Sequence, residues 1–261
     1  MKKLLLLFLI VGIVFSDSAC HSQGGPRGKS EAEIKRMIFV YGNGTDKAFI
    51  KYVATLTGKE KPKICFFPTA AADDPRVIAY WDKLIEGMAI NSCVIRTFIS
   101  SSPEQKSFEE EILTADAIIV GGGNTLNMIA VWHAQGIDTL LRMAYEKGVV
   151  MAGGSAGSLC WFTGGYSDSR PRELSIIDCL GFLPYSHCPH YDNPDRRSLY
   201  LEAIESGIIE PGYACEDDAA LLFIDGHLSE SFSLNPGRHS YFVTVEEGRV
   251  TETLLPAKAL K

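Results

Sequence analysis

Short apolar runs alternate with amphipathic segments along the chain. Runs that are apolar throughout predict buried strands at 37–41, 64–67, 92–98, 117–120 and 148–152. Between them, helical spacing and start signals predict helices from about Thr45, from Asp73, and over 107–113, 125–135 and 138–147. Strands of this kind separated by helices indicate a parallel sheet covered on both faces. We therefore predict an α/β fold, a single domain over 36–261 with a mostly parallel central sheet flanked by helices.

The pattern loosens after the fifth strand. Apolar stretches at 219–224, 241–245 and 249–254 predict late strands, and their short connections indicate that these are partly antiparallel.

The first twenty residues differ from the rest. A positive start, Met1–Lys3, precedes the apolar run Leu4–Phe15, which is too short to span a bilayer and matches the core of a signal peptide over 1–20. Ser18-Ala19-Cys20 resembles a bacterial lipoprotein cleavage site, although Asp17 departs from that pattern, so lipidation of Cys20 and an ordinary signal peptide both stay open. Residues 21–35 predict a flexible tether. We expect an exported protein, periplasmic or anchored to a bacterial membrane.

Charge and cysteine content limit the partners. The 261 residues carry a net charge of −7 and have no long basic cluster, so nucleic acid is not expected as a partner. Seven cysteines include no Cys-x-x-Cys pair, and we expect no metal and no cofactor. A disulfide among Cys179, Cys188 and Cys215 stays open.

A glycine-flanked serine follows the fifth predicted strand. Gly153-Gly154-Ser155-Ala156-Gly157 has the form of a strand–elbow–helix turn, which exposes a serine at the carboxyl end of a strand. Ser155 is therefore the candidate nucleophile. The N–H of Ala156 and one from the turn Gly121–Gly123, through Gly122 or Gly123, are candidate oxyanion donors, because both turns fall on the same edge of an open sheet.

A serine needs a base, which is usually histidine. Of six histidines, His190 and His187 lie in a short segment downstream of the elbow, and we favour His190, which follows a proline. The orienting acid is harder to place, because Asp168, Glu173, Asp178 and, after His190, Asp192 are close to equal on spacing alone.

Together, Val120–Thr125, Gly153–Gly157 and Cys188–Tyr191 resemble motifs of the dipeptidase E / cyanophycinase family of serine peptidases, which share a fold with the class I glutamine amidotransferases. The resemblance implies a triad of Ser155, His190 and Asp168, with Glu173 as the alternate acid. It also implies a small peptide as substrate, since relatives cleave after an N-terminal aspartate or release β-linked aspartyl-arginine units.

Several nearby residues have weaker interpretations. Asp217 and Asp218 fall where relatives carry an acidic turn, interpreted here as shaping the pocket or capping a loop. Four arginines near the elbow in sequence could pair an acidic substrate group, or could be solvated surface charges: Arg170, Arg172, Arg196 and Arg197.

Three functions compete. A serine exopeptidase or amide hydrolase that forms an acyl-enzyme accounts for the most residues. An esterase of the α/β-hydrolase type would share the elbow, but only 106 residues follow Ser155. A non-catalytic ligand-binding module on the same scaffold is the third. A glutaminase is disfavoured because a serine stands where those amidotransferases carry cysteine.

Overall fold

The computed structural model describes residues 34–260. The predicted signal peptide, Cys20 and all but the last two residues of the predicted tether lie outside this range. Across residues 34–260, no helix combines the length and apolar character needed to cross a bilayer. The six cysteines of the described range are free thiols.

The helices include all five that the sequence predicts, with the predicted bounds met to within two residues, and one, over Pro194–Glu205, that it does not predict. They are α1 (Lys47–Leu56), a short 3-10 helix (Thr69–Ala71), α2 (Pro75–Ile85), α3 (Phe108–Ile112), α4 (Thr125–Gln135), α5 (Ile137–Glu146), α6 (Ala156–Leu159) and α7 (Pro194–Glu205). Side chains cap their first turns: Asp46 accepts a hydrogen bond at α1, Asn124 at α4 and Asn193 at α7.

The strands are divided between two sheets. They are β1 (Met37–Tyr41), β2 (Lys63–Phe67), β3 (Asn91–Val94), β4 (Ala117–Val120), β5 (Val150–Gly154), β6 (Gly164–Ser167), β7 (Ser175–Asp178), β8 (Ser186–Pro189), β9 (Gly212–Cys215), β10 (Ala219–Ile224), β11 (His227–Ser233), β12 (Ser240–Glu246), β13 (Arg249–Leu255) and β14 (Ala257–Ala259).

The first sheet has eight strands in the order β14-β11-β10-β1-β5-β4-β2-β3. Its five early strands, β1 to β5, are parallel, whereas β10 runs antiparallel to β1. Alternate residues of β1 enter different cores: Ile38 belongs to one apolar cluster and Phe39 to another. Both faces are therefore covered, and the predicted α/β fold with a mostly parallel central sheet is confirmed.

The second sheet is the main feature that the sequence pattern does not predict. It has six strands in the order β13-β12-β9-β8-β6-β7, and all of them follow the elbow. Within it, β6, β8 and β9 are parallel, and the pairs β9/β12 and β12/β13 are antiparallel. This sheet carries the residues that complete the site.

One predicted strand is too long. The run 92–98 forms a strand only over Asn91–Val94, because the Asp73 carboxylate, and not a neighbouring strand, accepts the N–H groups of Thr97 and Phe98 at 2.5 and 2.7 Å. A buried carboxylate thus ends the strand.

Candidate active site

Three turns meet at the carboxyl edge of the parallel sheet. β5 pairs with β1 on one side and with β4 on the other, so the turns after these strands lie side by side. The turn after β5 carries Ser155, and the turn after β4 carries Gly122 and Gly123.

The backbone at Ser155 is held in a strained conformation. Its φ of 56° and ψ of −119° lie outside the regions that side-chain-bearing residues favour. The flanking glycines allow this geometry because they contact backbone directly. A Cβ at Gly154 would lie 2.0 Å from the Asn43 carbonyl oxygen, and one at Gly157 would lie 2.1 Å from that of Val120. The elbow therefore depends on these glycines and presents the serine hydroxyl outward.

The second sheet brings a histidine to this hydroxyl. His190 follows β8 directly, with φ of 54°, and its Nε2 lies 2.8 Å from Ser155 Oγ. Its Nδ1 lies 2.7 Å from Asp217 Oδ1. The His190 side chain is 30% exposed and that of Asp217 38% exposed, so substrate has access to the pair.

Strand pairing explains why Asp217 lies here. β8 and β9 are parallel with Pro189 opposite Cys215, so the residues that follow each strand emerge together. β10 runs antiparallel to β1 with Ala220 opposite Tyr41, so the turn before β10 lies at the carboxyl end of β1, next to the elbow. Both constraints place the 216–218 turn beside His190.

Neighbouring groups hold this turn. The Asp217 N–H donates to Asp192 Oδ1 at 3.2 Å. Asn43 Nδ2 donates to Asp218 Oδ1 at 3.0 Å, and Asp218 itself has φ of 66°. The turn that presents the carboxylate is therefore tied to the end of β1.

The structure does not place Asp168 where the resemblance implied. Asp168 follows β6, its side chain is 70% exposed, and its Oδ2 pairs with Arg196 Nη2 at 3.0 Å. Ser155 and Asp217 engage both ring nitrogens of His190, which leaves no nitrogen for Asp168 or for the alternate, Glu173, which is exposed in the turn between β6 and β7. The assignment of Asp168 as the orienting acid is therefore corrected to Asp217.

The candidate oxyanion donors lie close to the serine. A Cβ at Gly122 would lie 3.2 Å from Ser155 Cβ and 3.6 Å from its Oγ, so the Gly122 backbone faces the nucleophile. Gly123, with φ of 139°, packs against Ala70, where a Cβ would lie 2.2 Å from the carbonyl oxygen. Ala156 begins α6, so its N–H has no acceptor within that helix.

Charged groups surround the mouth of the site. A cavity of about 440 Å³ is lined by Asp168, His190, Asp192, Asn193, Arg196 and Asp217. Arg196 is largely buried and also donates to the Tyr166 carbonyl at 3.3 Å. Of the other arginines considered from sequence, Arg197 pairs with Glu252, and Arg170 and Arg172 are exposed. Arg196 is thus the arginine of the four that lines the cavity.

His187, the second candidate base, has a different environment. It is fully buried, stacks on Phe162 at 4.3 Å, and donates from Nδ1 to the Tyr213 carbonyl at 2.8 Å. Its Nε2 lies 3.0 Å from Ser158 Oγ, on the first turn after the elbow. Burial, together with the nearby His190, lowers the pKa of His187 from 6.5 to about 3. This neutral imidazole supports the elbow through its contact with Ser158 in α6.

A serine, an imidazole and a carboxylate in one hydrogen-bonded line at the edge of an α/β sheet are the arrangement of a serine hydrolase. The sequence model of peptidase family S51 matches residues 38–231, which are most of the chain. The chain therefore belongs to peptidase family S51 and is a serine peptidase, as its motifs predict.

Individual relatives agree with this assignment. The chain is 37% identical over 233 residues to an uncharacterized peptidase, YgaJ, of Bacillus subtilis (strain 168), covering 87% of this chain and all of that protein. It is 30% identical over 149 residues to peptidase E of Shewanella denitrificans (strain OS217 / ATCC BAA-1090 / DSM 15013), covering 55% of this chain and 60% of that protein.

Solved structures share the fold. A peptidase from an acI-B1 Actinobacterium superimposes with a TM-score of 0.66 at 16% identity, covering 85% of this chain and 94% of that one. A candidate peptidase E of Listeria monocytogenes EGD-e superimposes with a TM-score of 0.60 at 18% identity, covering 77% of this chain and all of the other.

The buried His187 predicts a pH dependence of stability. Since its folded pKa of about 3 lies below the ordinary 6.5, the unfolded chain binds more protons between these values. Stability should therefore be retained above pH 6.5 and lost as the pH falls towards 3, by at most about 1.4 kcal/mol per pH unit from this group. Urea unfolding at pH 7, 6 and 5 measures this loss.

The matched variants are His187→Gln and His227→Gln, the latter at an exposed position. The loss between pH 7 and pH 5 should shrink in the first variant and match the wild type in the second. An unchanged loss in His187→Gln would contradict the assignment.

Proposed function

We propose that the chain is a serine exopeptidase that hydrolyses short peptides through a triad of Ser155, His190 and Asp217 and an acyl-enzyme intermediate. The observation that carries the proposal is the continuous line from Ser155 Oγ through His190 to Asp217, with contacts of 2.8 and 2.7 Å. The first distance permits proton transfer between Ser155 and His190 without rearrangement, and the second lets the Asp217 carboxylate accept a hydrogen bond from Nδ1.

Each residue has a distinct role in the proposed reaction. His190 Nε2 takes the proton of Ser155 as the hydroxyl attacks the peptide carbonyl, and returns it to the leaving amine. Asp217 holds the ring and stabilises the imidazolium through Nδ1–H. The amides of Ala156 and of Gly122 or Gly123 would stabilise the oxyanion, and water then releases the acyl group by the same route in reverse.

Two features of the cavity beside His190 support short, charged substrates. Its volume of about 440 Å³ suits a ligand of a few residues. Arg196 is paired with the exposed Asp168, and an aspartyl side chain of a substrate could replace Asp168 as the partner of this guanidinium. An aspartyl dipeptide is therefore the substrate class that we propose to test first.

We also propose export with a lipidated Cys20, on the strength of the sequence of residues 1–20. A Cys20→Ser variant, expressed in a bacterium and labelled with radioactive palmitate, should lose label that the wild type incorporates. Equal labelling of both proteins would contradict the lipid anchor.

Ser155→Ala tests the nucleophile. The variant should lose labelling by a fluorophosphonate probe and hydrolysis of aspartyl dipeptides, because no acyl-enzyme can form. Ser206→Ala is the control for active-site labelling, since that exposed hydroxyl donates to the Glu202 carbonyl oxygen at the end of α7. Labelling that persists in Ser155→Ala at the wild-type rate would rule out the proposal, and labelling without turnover of any dipeptide would favour a binding module.

Asp217→Asn and Asp168→Asn separate the two acids. Asp217→Asn should lower kcat by about 10⁴-fold, the loss seen when a triad aspartate becomes an amide and fixes the wrong tautomer. Asp168→Asn should keep kcat and lower KM for aspartyl dipeptides, because Arg196 is released for the substrate. Steady-state kinetics on both variants provide the measurement, and a large fall in kcat for Asp168→Asn alone would reverse the assignment.

A further inference from the structure

A second cluster of reactive side chains lies at the β3 edge of the eight-stranded sheet. Cys65 on β2, Cys93 on the edge strand β3 and Glu111 on α3 each offer one ligand atom, and these three atoms lie within 4.8 Å of one another. Among residues 34–260 this is the sole group of three or more such side chains. None of the three takes part in the proposed peptidase reaction.

The contacts within the cluster converge on Glu111. The Cys93 thiol donates to Glu111 Oε2 at 3.2 Å, and the Cys65 thiol donates to the Glu111 carbonyl oxygen at 3.7 Å. Both thiols therefore face Glu111, one its side chain and the other its backbone, and a cation bound among them would replace their protons.

The spacing of the two thiols suits a shared metal ion. Cys65 and Cys93 are directly opposite each other in neighbouring parallel strands, which lie about 4.8 Å apart. In the structure both are free thiols and not a disulfide. Two sulfurs on one tetrahedral zinc, each about 2.3 Å from the metal, are about 3.8 Å apart, and the ligand atoms of this cluster already lie within 4.8 Å of one another.

Two lysines lie beside the Glu111 carboxylate and lower the cost of negative charge at the cluster. Lys63 Nζ lies 2.6 Å from Glu111 Oε2, and Lys106 Nζ lies 3.4 Å from Oε1. Two thiolates and one carboxylate around a divalent cation carry one net negative charge, which these ammonium groups offset. Because each carboxylate oxygen has two lone pairs, it can accept from a lysine and still bind a metal, and such outer hydrogen bonds orient ligating carboxylates.

An access route exists. A cavity of about 180 Å³ is lined by Glu111 together with Lys106 and Phe108. The Glu111 side chain is 20% exposed, so a hydrated ion can reach the cluster from this side and keep one water as its fourth ligand.

We propose that Cys65 Sγ, Cys93 Sγ and a Glu111 carboxylate oxygen form a binding site for a thiophilic divalent cation, Zn²⁺. Binding replaces the two thiol protons, which pass to solvent, and leaves the oxidation state of every group unchanged. The ion would join β2, the edge strand β3 and α3, and would thus act on the stability of this edge.

Metal binding to the purified, chelator-treated protein tests the site. Co²⁺, used as a spectroscopic substitute, should give thiolate-to-metal charge-transfer absorption that saturates at one equivalent, and Zn²⁺ should displace it. Zn²⁺ should also raise the Tm of the wild type, because it binds the folded state. Cys93→Ser and Glu111→Gln should weaken Zn²⁺ binding by more than the roughly 10–100-fold expected for loss of an outer hydrogen-bond partner.

Cys179→Ser is the matched control, since Cys179 lies near another buried thiol, Cys160, outside the cluster. It should keep the cobalt spectrum and the zinc-dependent rise in Tm. A single cooperative thermal unfolding transition reports that each variant is folded. A cobalt spectrum without sulfur charge transfer, or one that survives Cys93→Ser, would overturn the proposal. So would a Cys65–Cys93 disulfide, found by mass spectrometry, in the isolated protein.

Discussion

The close approach of three parallel strands around the elbow is the constraint on which the rest of the site depends. β5 runs between β1 and β4, and the elbow after it is packed so closely that two glycines have no room for a Cβ: Gly154 against the Asn43 carbonyl beyond β1, and Gly157 against the Val120 carbonyl of β4. This packing holds Ser155 at φ of 56°, a conformation that costs about 1–3 kcal/mol and persists only where surrounding structure fixes it. The position of the hydroxyl is thus set by backbone and not by a flexible loop.

The second sheet places an imidazole and a carboxylate beside this fixed hydroxyl. His190 and Asp217 lie on different connections, after β8 and before β10, but the parallel pairing of β8 with β9 brings both to one end. The antiparallel pairing of β10 with β1 then places that end beside the elbow. Two independent registers therefore specify one hydrogen-bonded line, and a shift in either would separate the imidazole from the serine or from the carboxylate.

The sequence was sufficient for the parts of the site that are local. Ser155 and the glycine turn 121–123 follow apolar runs directly, so their positions at strand ends can be predicted from the pattern, and the fold class follows from the same runs. His190 depended on the resemblance and on its place after Pro189. Asp217 was not predicted as the acid, because its position depends on an antiparallel strand that returns to β1 from 180 residues away. The acidic turn before the apolar run 219–224 was the available signal.

The two histidines of one short strand segment show how environment assigns chemistry. His187 and His190 are three residues apart on and after β8, yet one is fully buried and the other 30% exposed. His187 is surrounded by Phe162, a carbonyl and a hydroxyl, so it stays neutral and serves as a fixed hydrogen-bond partner of the elbow helix. His190 has a carboxylate on one nitrogen and a hydroxyl on the other, which is the setting in which an imidazole can accept a proton and return it. The positive φ at His190 turns its ring out of the strand, and this turn makes it available to Ser155 while His187 remains in the core.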